Sequence, residues 1–174
     1  MTPPSPGAEG RPAARPGFWG FSTALYSRPG VPSACLTLQG AGLDVNVALW
    51  IVWMVITGRD PAPALGQAVE LSALWRARVV QPLRVARDGL KPAPDFIAPE
   101  AGAALRKQVL AAELEGERLQ QLALAALAPA SPQHSGGEVR GLCRDRLGVY
   151  ARGCGAGADV DDFIETIFSA LEIV

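Results

Sequence analysis

The sequence predicts an all-α protein, a single-domain bundle of six to seven helices around a buried central helix. Apolar side chains recur at helical spacing along most of the chain, and prolines and glycines separate the periodic segments. No two segments show the alternation of paired strands. With 174 residues, the chain is long enough to bury a core without disulfides.

The central helix is predicted at residues 44–57, the most apolar run of the chain, DVNVALWIVWMVIT. Asp44 is a typical helix N-cap, and Gly58 is a typical C-terminal stop. A helix of this length would measure about 21 Å, whereas the hydrocarbon core of a membrane is about 30 Å thick. We therefore expect a helix that is packed on all sides and spans no membrane.

Turn signals bound the other helices. Pro32 and Pro61 stand where a helix would begin. Pro82 should kink or break its helix, because proline lacks an N–H and clashes with the preceding turn. The predicted helices are residues 18–27, 31–39, 44–57, 61–91, 99–128, 138–152 and 159–171, the last of them capped by Asp159.

Composition divides the chain into four parts. Residues 1–17 are rich in proline and glycine and predict a disordered arm without the apolar segment of a signal peptide. Residues 18–128 form the helical core, and residues 129–137 form a linker. We expect residues 138–174 to form a C-terminal helical pair that is packed on the core or tethered to it.

Charge and cysteine content exclude several classes of function. Sixteen basic and 17 acidic side chains leave a net charge of −1, so no global field attracts nucleic acid or an anionic membrane. Three scattered cysteines and one histidine, His134 in the linker, support neither a disulfide framework nor a zinc site. The GCGAGAD segment lacks the context of a phosphate-binding loop. We expect a cytoplasmic protein without metal or cofactor.

Several blocks occur in a characteristic order, FWGFSTALYSRPGVPSACLTLQ, GLDVN, WRARVVQPLRVARDGLK and ELEGER. In these blocks the chain resembles a family of small proteobacterial proteins that is catalogued as a conserved domain of unknown function. The resemblance covers about residues 18–127. It implies a small, soluble helical protein with no assigned activity, and it assigns no catalytic residue.

A first group of candidate site residues lies on the central helix. Asn46, Trp50 and Trp53 share one helical stripe, and Asp44 precedes it. Asp44 and Asn46 could simply cap the helix and satisfy nearby backbone groups. Alternatively, they form a polar pair at the edge of a tryptophan-lined pocket.

A second group combines acidic and basic side chains. Glu113 and Glu117 are spaced i,i+4 and could bind a metal or act as acid and base, but charged helix positions usually face water. Arg84 and Arg87 could bind a phosphate or a carboxylate. The alternative is that these arginines pair with Asp88 and the two glutamates in a salt-bridge network.

Two functions remain. The absence of a complete catalytic set favours a non-enzymatic module that binds a protein partner or a second copy through its helices. The alternative is a binder of a small anionic molecule, or an unrecognised enzyme, with a pocket near Asp44 and Asn46. The alternative requires the candidate side chains to converge on a common cavity.

Overall fold

A computed structural model describes residues 17–130, 138–156 and 160–172, and helices account for most of them. The all-α fold class is confirmed. The α-helices are α1 Phe18–Tyr26, α2 Val31–Gly40, α3 Val45–Ile56, α4 Leu65–Trp75, α5 Gln81–Gly89, α6 Pro99–Ala126, α7 Val139–Gly153 and α8 Asp161–Glu172.

Helices α4 and α5 are joined without a break by the π-helical residues Arg76–Val80, which we call the π segment. The described residues therefore contain seven continuous helices, as predicted. Pro82 does not break its helix. The Gln81 N–H donates to the Arg76 carbonyl, five residues back, so the hydrogen-bond ladder has already shifted where the proline enters.

Helix α3 is the buried centre of the bundle, as predicted. Its residues 47–55 are all buried, and it contacts α1, α2, α4, α6 and α7. The Asp44 carboxylate caps the helix by accepting from the Asn46 and Val47 N–H groups. At the other end, Gly58 adopts a φ of 80°, a conformation that glycine enters without steric cost.

The longest helix, α6, runs beside the other core helices. Its 28 residues span about 42 Å, and it contacts α1, α3, α4, α5 and the π segment. The indole N–H of Trp75 in α4 donates to the Gly116 carbonyl of α6 at 2.8 Å. Helix α6 therefore forms one wall of the space that these helices enclose.

The C-terminal helices contact the core. Helix α7 packs on α3, and α8 packs on α1, α2 and α7. Arg146 of α7 makes two 2.8 Å hydrogen bonds to the Asp60 carboxylate. Apolar side chains of both helices are buried with those of α3 in one core.

Some predictions concern residues outside the described ranges. They are the arm except for Gly17, residues 131–137 of the linker with His134, and the Asp159 cap. No helix in the described part of the chain is long and apolar enough to cross a lipid bilayer.

Candidate functional site

A cavity of about 470 Å³, which we call the first cavity, opens between α1, α3, α6 and the π segment. Apolar side chains such as Trp19 and Leu49 form part of its wall, and polar side chains form the rest. The polar and charged lining residues are Ser22, Thr23, Tyr26, Ser27, Gln39, Asp44, Asn46, Arg76, Arg84, Glu117, Gln120 and Gln121.

One wall of this cavity is a chain of side-chain hydrogen bonds, which we call the amide network. Gln120 Nε2 donates to Asp44 Oδ2 at 2.9 Å, and Asn46 Nδ2 donates to Gln120 Oε1 at 2.9 Å. Gln121 Nε2 donates to Asn46 Oδ1 at 2.7 Å, and the Ser22 hydroxyl donates to Gln121 Oε1. The network ties α1, α3 and α6 together and fixes the orientation of each amide.

The amide network retains unused donors. Each carboxamide nitrogen carries two protons, and those of Asn46, Gln120 and Gln121 each donate one of them within the network. Each of the three amide oxygens accepts one hydrogen bond within the network and keeps its second lone pair unused there. A molecule rich in acceptor atoms is therefore a suitable partner for this wall.

Asp44 joins the site to the C-terminal helices. Its backbone N–H donates to the Tyr150 hydroxyl of α7 at 2.7 Å. Burial is the main cause that raises the pKa of Tyr150, so the phenol stays protonated at neutral pH. Both the backbone and the carboxylate of Asp44 are thus held in place.

Four of the predicted site residues form a second polar group, the Arg–Glu cluster, between α5 and α6. Glu113 accepts from Arg84 Nε at 2.9 Å and from Arg87 Nη1 at 2.8 Å, and Arg84 also reaches Glu117 at 3.1 Å. Arg87 pairs with Asp88 as well. The salt-bridge network predicted as an alternative is therefore present.

The prediction that the paired glutamates face water is wrong for Glu113, because its exposed fraction is only 3%. A sequence pattern shows that two glutamates share a helix face, but not that a second helix covers this face. The two arginines supply the charge that makes burial of the carboxylate tolerable.

The structure brings together only some of the predicted site residues. Asp44, Asn46, Arg84 and Glu117 all line the first cavity. Glu113 and Arg87 do not line it: Glu113 binds Arg84, and Arg87 binds Glu113.

The two tryptophans of the central helix lie in the core instead of on the cavity wall. Trp50 is fully buried, and no residue in the described ranges forms a hydrogen bond with its indole nitrogen. Trp53 packs against Phe18, with 5.5 Å between ring centroids, and Arg59 lies over its ring. The residues of α3 that border the first cavity are Val45, Asn46 and Leu49.

A second cavity of about 450 Å³ lies between α3, α4 and α7. Its lining includes Ser72, Gln81 and Tyr150, and it shares Asp44 and Arg76 with the first cavity. These two shared side chains therefore stand where the two cavities approach each other.

Sequence reasoning missed Gln120, and it noted Arg76 one or two helical turns before Arg84 and Arg87 without including it among the candidate site residues. Gln120 is buried at 3% exposure, but two adjacent glutamines gave no sign of which helix they face. The positions three and four residues before and after Arg76 hold no acidic residue, but the same is true of the exposed Arg78, so this spacing did not single out Arg76. An arginine without such a neighbour has no intrahelical ion pair.

Burial is the main cause that raises the pKa of three groups lining the first cavity, Tyr26, Cys35 and Glu117. Burial raises the pKa of Glu117, and the Arg84 guanidinium opposes this shift without cancelling it. Burial raises the pKa of the Cys35 thiol to about 11, as expected for an inert buried cysteine. No group of three or more His, Cys, Asp or Glu side chains in the described ranges is arranged to hold a metal ion.

The fold and the cavity define a small all-helical protein with a polar-walled space between its helices. The chain belongs to the family described as "Protein of unknown function (DUF2390)", whose family model matches residues 17–124. That match includes the first cavity's lining residues and the Arg–Glu cluster, and it excludes α7 and α8. Neither the comparison with curated proteins nor that with solved structures gave a match.

Proposed function

We propose that the protein binds a small anionic molecule in the first cavity. The observation that carries the proposal is convergence: Asp44 and Asn46 at the start of α3, Arg84 of α5 and Glu117 of α6 line one space. The volume of about 470 Å³ falls in the range of about 300–1,000 Å³ that is usual for small-molecule sites.

The composition of the wall supports a ligand that is part apolar and part acceptor-rich. Trp19 and Leu49 offer apolar surface to the body of the molecule. Unused amide protons of Asn46 and the two glutamines of α6 would bind its oxygen atoms.

Pre-organisation also supports binding. The amide network fixes its side chains before any ligand enters, so little conformational entropy would be lost on binding. Glu113 and Glu117 hold Arg84 in the same way. We propose binding without catalysis, because the polar side chains of this wall are mostly engaged with one another.

The proposal places the protein in the cytoplasm. Cys35, Cys143 and Cys154 are all free thiols, as is usual in a reducing compartment. Contact with a protein partner or a second copy stays a prediction. The exposed side chains of Phe96 and Leu105 are of the kind that such a contact would use, but convergence on a cavity favours the small molecule.

The test is a variant that fills the cavity. Leu114 lines the first cavity and is 52% exposed, so Leu114→Trp should occupy the space with little effect on folding. Leu105 lies on the same helix with 49% exposure and does not line the cavity, which makes Leu105→Trp the matched control.

Wild type and both variants are purified at full length from the native cell, and native mass spectrometry detects copurified small molecules. We expect the wild type and Leu105→Trp to carry the same molecule and Leu114→Trp to lose it. A wild type without any bound molecule, or a Leu114→Trp variant that retains it fully, would overturn the proposal.

A further inference from the structure

Arg76 differs from the other arginines near the first cavity. Arg84 and Arg87 share Glu113, and Arg84 also binds Glu117. The side chain of Arg76 makes no hydrogen bond or ion pair with any residue in the described part of the chain, although it is half-buried. Its guanidinium therefore keeps five N–H donors, and no carboxylate of the described residues pairs with its positive charge.

The position of Arg76 brings its free donors to the walls of both cavities. It lies at the start of the π segment and lines both cavities. Single π-helical turns within α-helices occur often at functional sites, because the extra residue redirects a side chain. Here the π segment begins at the residue whose side chain stands between the two cavities.

A second polar group nearby also lacks a partner. Ser72 precedes Arg76 by one helical turn and lines the second cavity with it. This serine is 1% exposed, and its Oγ has no hydrogen-bond partner in the structure. Buried hydroxyl groups are usually satisfied, so the wall that Ser72 and Arg76 share in the second cavity has a donor without an acceptor among the described residues.

We infer that Arg76 binds a carboxylate or phosphate group of the small molecule that occupies the first cavity. This inference rests on the proposed function and names the residue and the chemical group. A guanidinium binds either group through two parallel N–H···O bonds, which is the geometry that Arg84 cannot offer while two glutamates occupy it.

The distinction between Arg76 and Arg84 follows from charge. The Arg–Glu cluster contains two arginines and two glutamates, so its formal charge is zero without counting Asp88. An anion beside Arg84 would meet the Glu117 carboxylate at once. An anion beside Arg76 would meet a cation that forms no ion pair within the described residues.

The test uses Arg76→Gln and the control Arg78→Gln. Arg78 belongs to the same π segment, is exposed and lines neither cavity. We expect Arg78→Gln to hold the copurified molecule as the wild type does. Arg76→Gln should bind it about 10- to 100-fold more weakly, the loss typical of one charge-assisted contact. Thermal unfolding of both variants verifies that they are folded.

A second measurement needs no variant binding data. Protein freed of bound molecules is titrated with inorganic phosphate and, separately, with acetate, and NMR follows the arginine Nε–H signals. The signal absent from Arg76→Gln identifies Arg76. We expect this signal to shift with at least one of the two anions, and which of them acts distinguishes phosphate from carboxylate.

The outcomes separate the two proposals. If Leu114→Trp loses the molecule but Arg76→Gln binds it like the wild type, the role of Arg76 is wrong and the cavity remains a binding site. An Arg76 signal that moves with neither anion also overturns this inference. A wild type that carries no molecule overturns the proposed function, while the titration still decides whether Arg76 binds an anion.

Discussion

Glu113 and Glu165 each bind two arginines, but the first carboxylate is buried and the second is exposed. Each accepts hydrogen bonds from two arginines, Glu113 from Arg84 and Arg87, and Glu165 from Arg140 and Arg144. Glu113 is 3% exposed, whereas the Glu165 side chain is 51% exposed on α8. Ion pairs with the same number of hydrogen bonds therefore differ in their contribution to the free energy of unfolding, because burial determines what their loss would cost.

The largest effect is expected for Glu113→Ala, which leaves two guanidinium groups beside an empty buried site. Breaking a buried pair costs about 3–5 kcal/mol, and we expect the lower end because Arg84 keeps Glu117 and Arg87 keeps Asp88. Urea unfolding of both variants measures the change. Glu165→Ala, the control, should lower the free energy of unfolding by less than about 1 kcal/mol. Equal losses would contradict the comparison.

A smaller effect on the free energy of unfolding is expected for Glu117→Gln, and this effect should depend on pH. Burial raises the pKa of Glu117 in the folded state above its ordinary 4.5. The stability that this group contributes is therefore present below pH 4.5 and is lost as the pH rises through the folded pKa. The free energy of unfolding of Glu117→Gln, minus that of the wild type, should increase between pH 4.5 and pH 7.

The control for this pH series lies two residues away. The hydrogen bond from Arg118 lowers the pKa of the exposed Glu115. Its contribution is present above the unfolded value and is lost as the pH falls through the folded pKa, which is the opposite sign. Glu115→Gln should therefore differ from the wild type in slope only below pH 4.5. A flat difference for Glu117→Gln above this pH would refute the prediction.

The smallest effect is a dependence on salt. At 1 M NaCl the Debye length is about 3 Å, so exposed charges are screened and buried ones much less. The destabilisation caused by Glu165→Ala should shrink towards zero in 1 M NaCl, while that caused by Glu113→Ala should persist. Unfolding curves at low and high salt measure both. A loss for Glu113→Ala that shrinks with salt in the same proportion would show that water reaches the inner cluster.

The sequence predicted the helices well because local chemistry sets their ends. Asp44 caps α3 with its own carboxylate, and Gly58 ends the same helix, so both boundaries can be seen from neighbouring residues alone. The effect of Pro82 was harder to predict, since a π turn allows the helix to continue through a residue that usually interrupts a helix. Local rules do not show whether such an adjustment will occur.

The site was predictable only in part, because its residues meet through the packing of distant helices. Asp44 and Gln120 are 76 positions apart, and no spacing rule connects them. Glu113 and Arg84 were recognisable as partners by charge, but their burial depends on how closely α5 and α6 approach. Arg76 could be identified as unpaired within its helix, but not as a residue that lines two cavities.

Helix α7 gives the family boundary a physical meaning. The match ends at residue 124, yet Leu147 and Tyr150 of α7 lie buried in the same core as the nine consecutive buried residues of α3. A chain shortened to the matched segment would expose the apolar surface that α7 covers. The Asp44 backbone N–H would also lose the Tyr150 hydroxyl that accepts its hydrogen bond. The matched segment therefore contains the central helix but not all of the side chains that bury it.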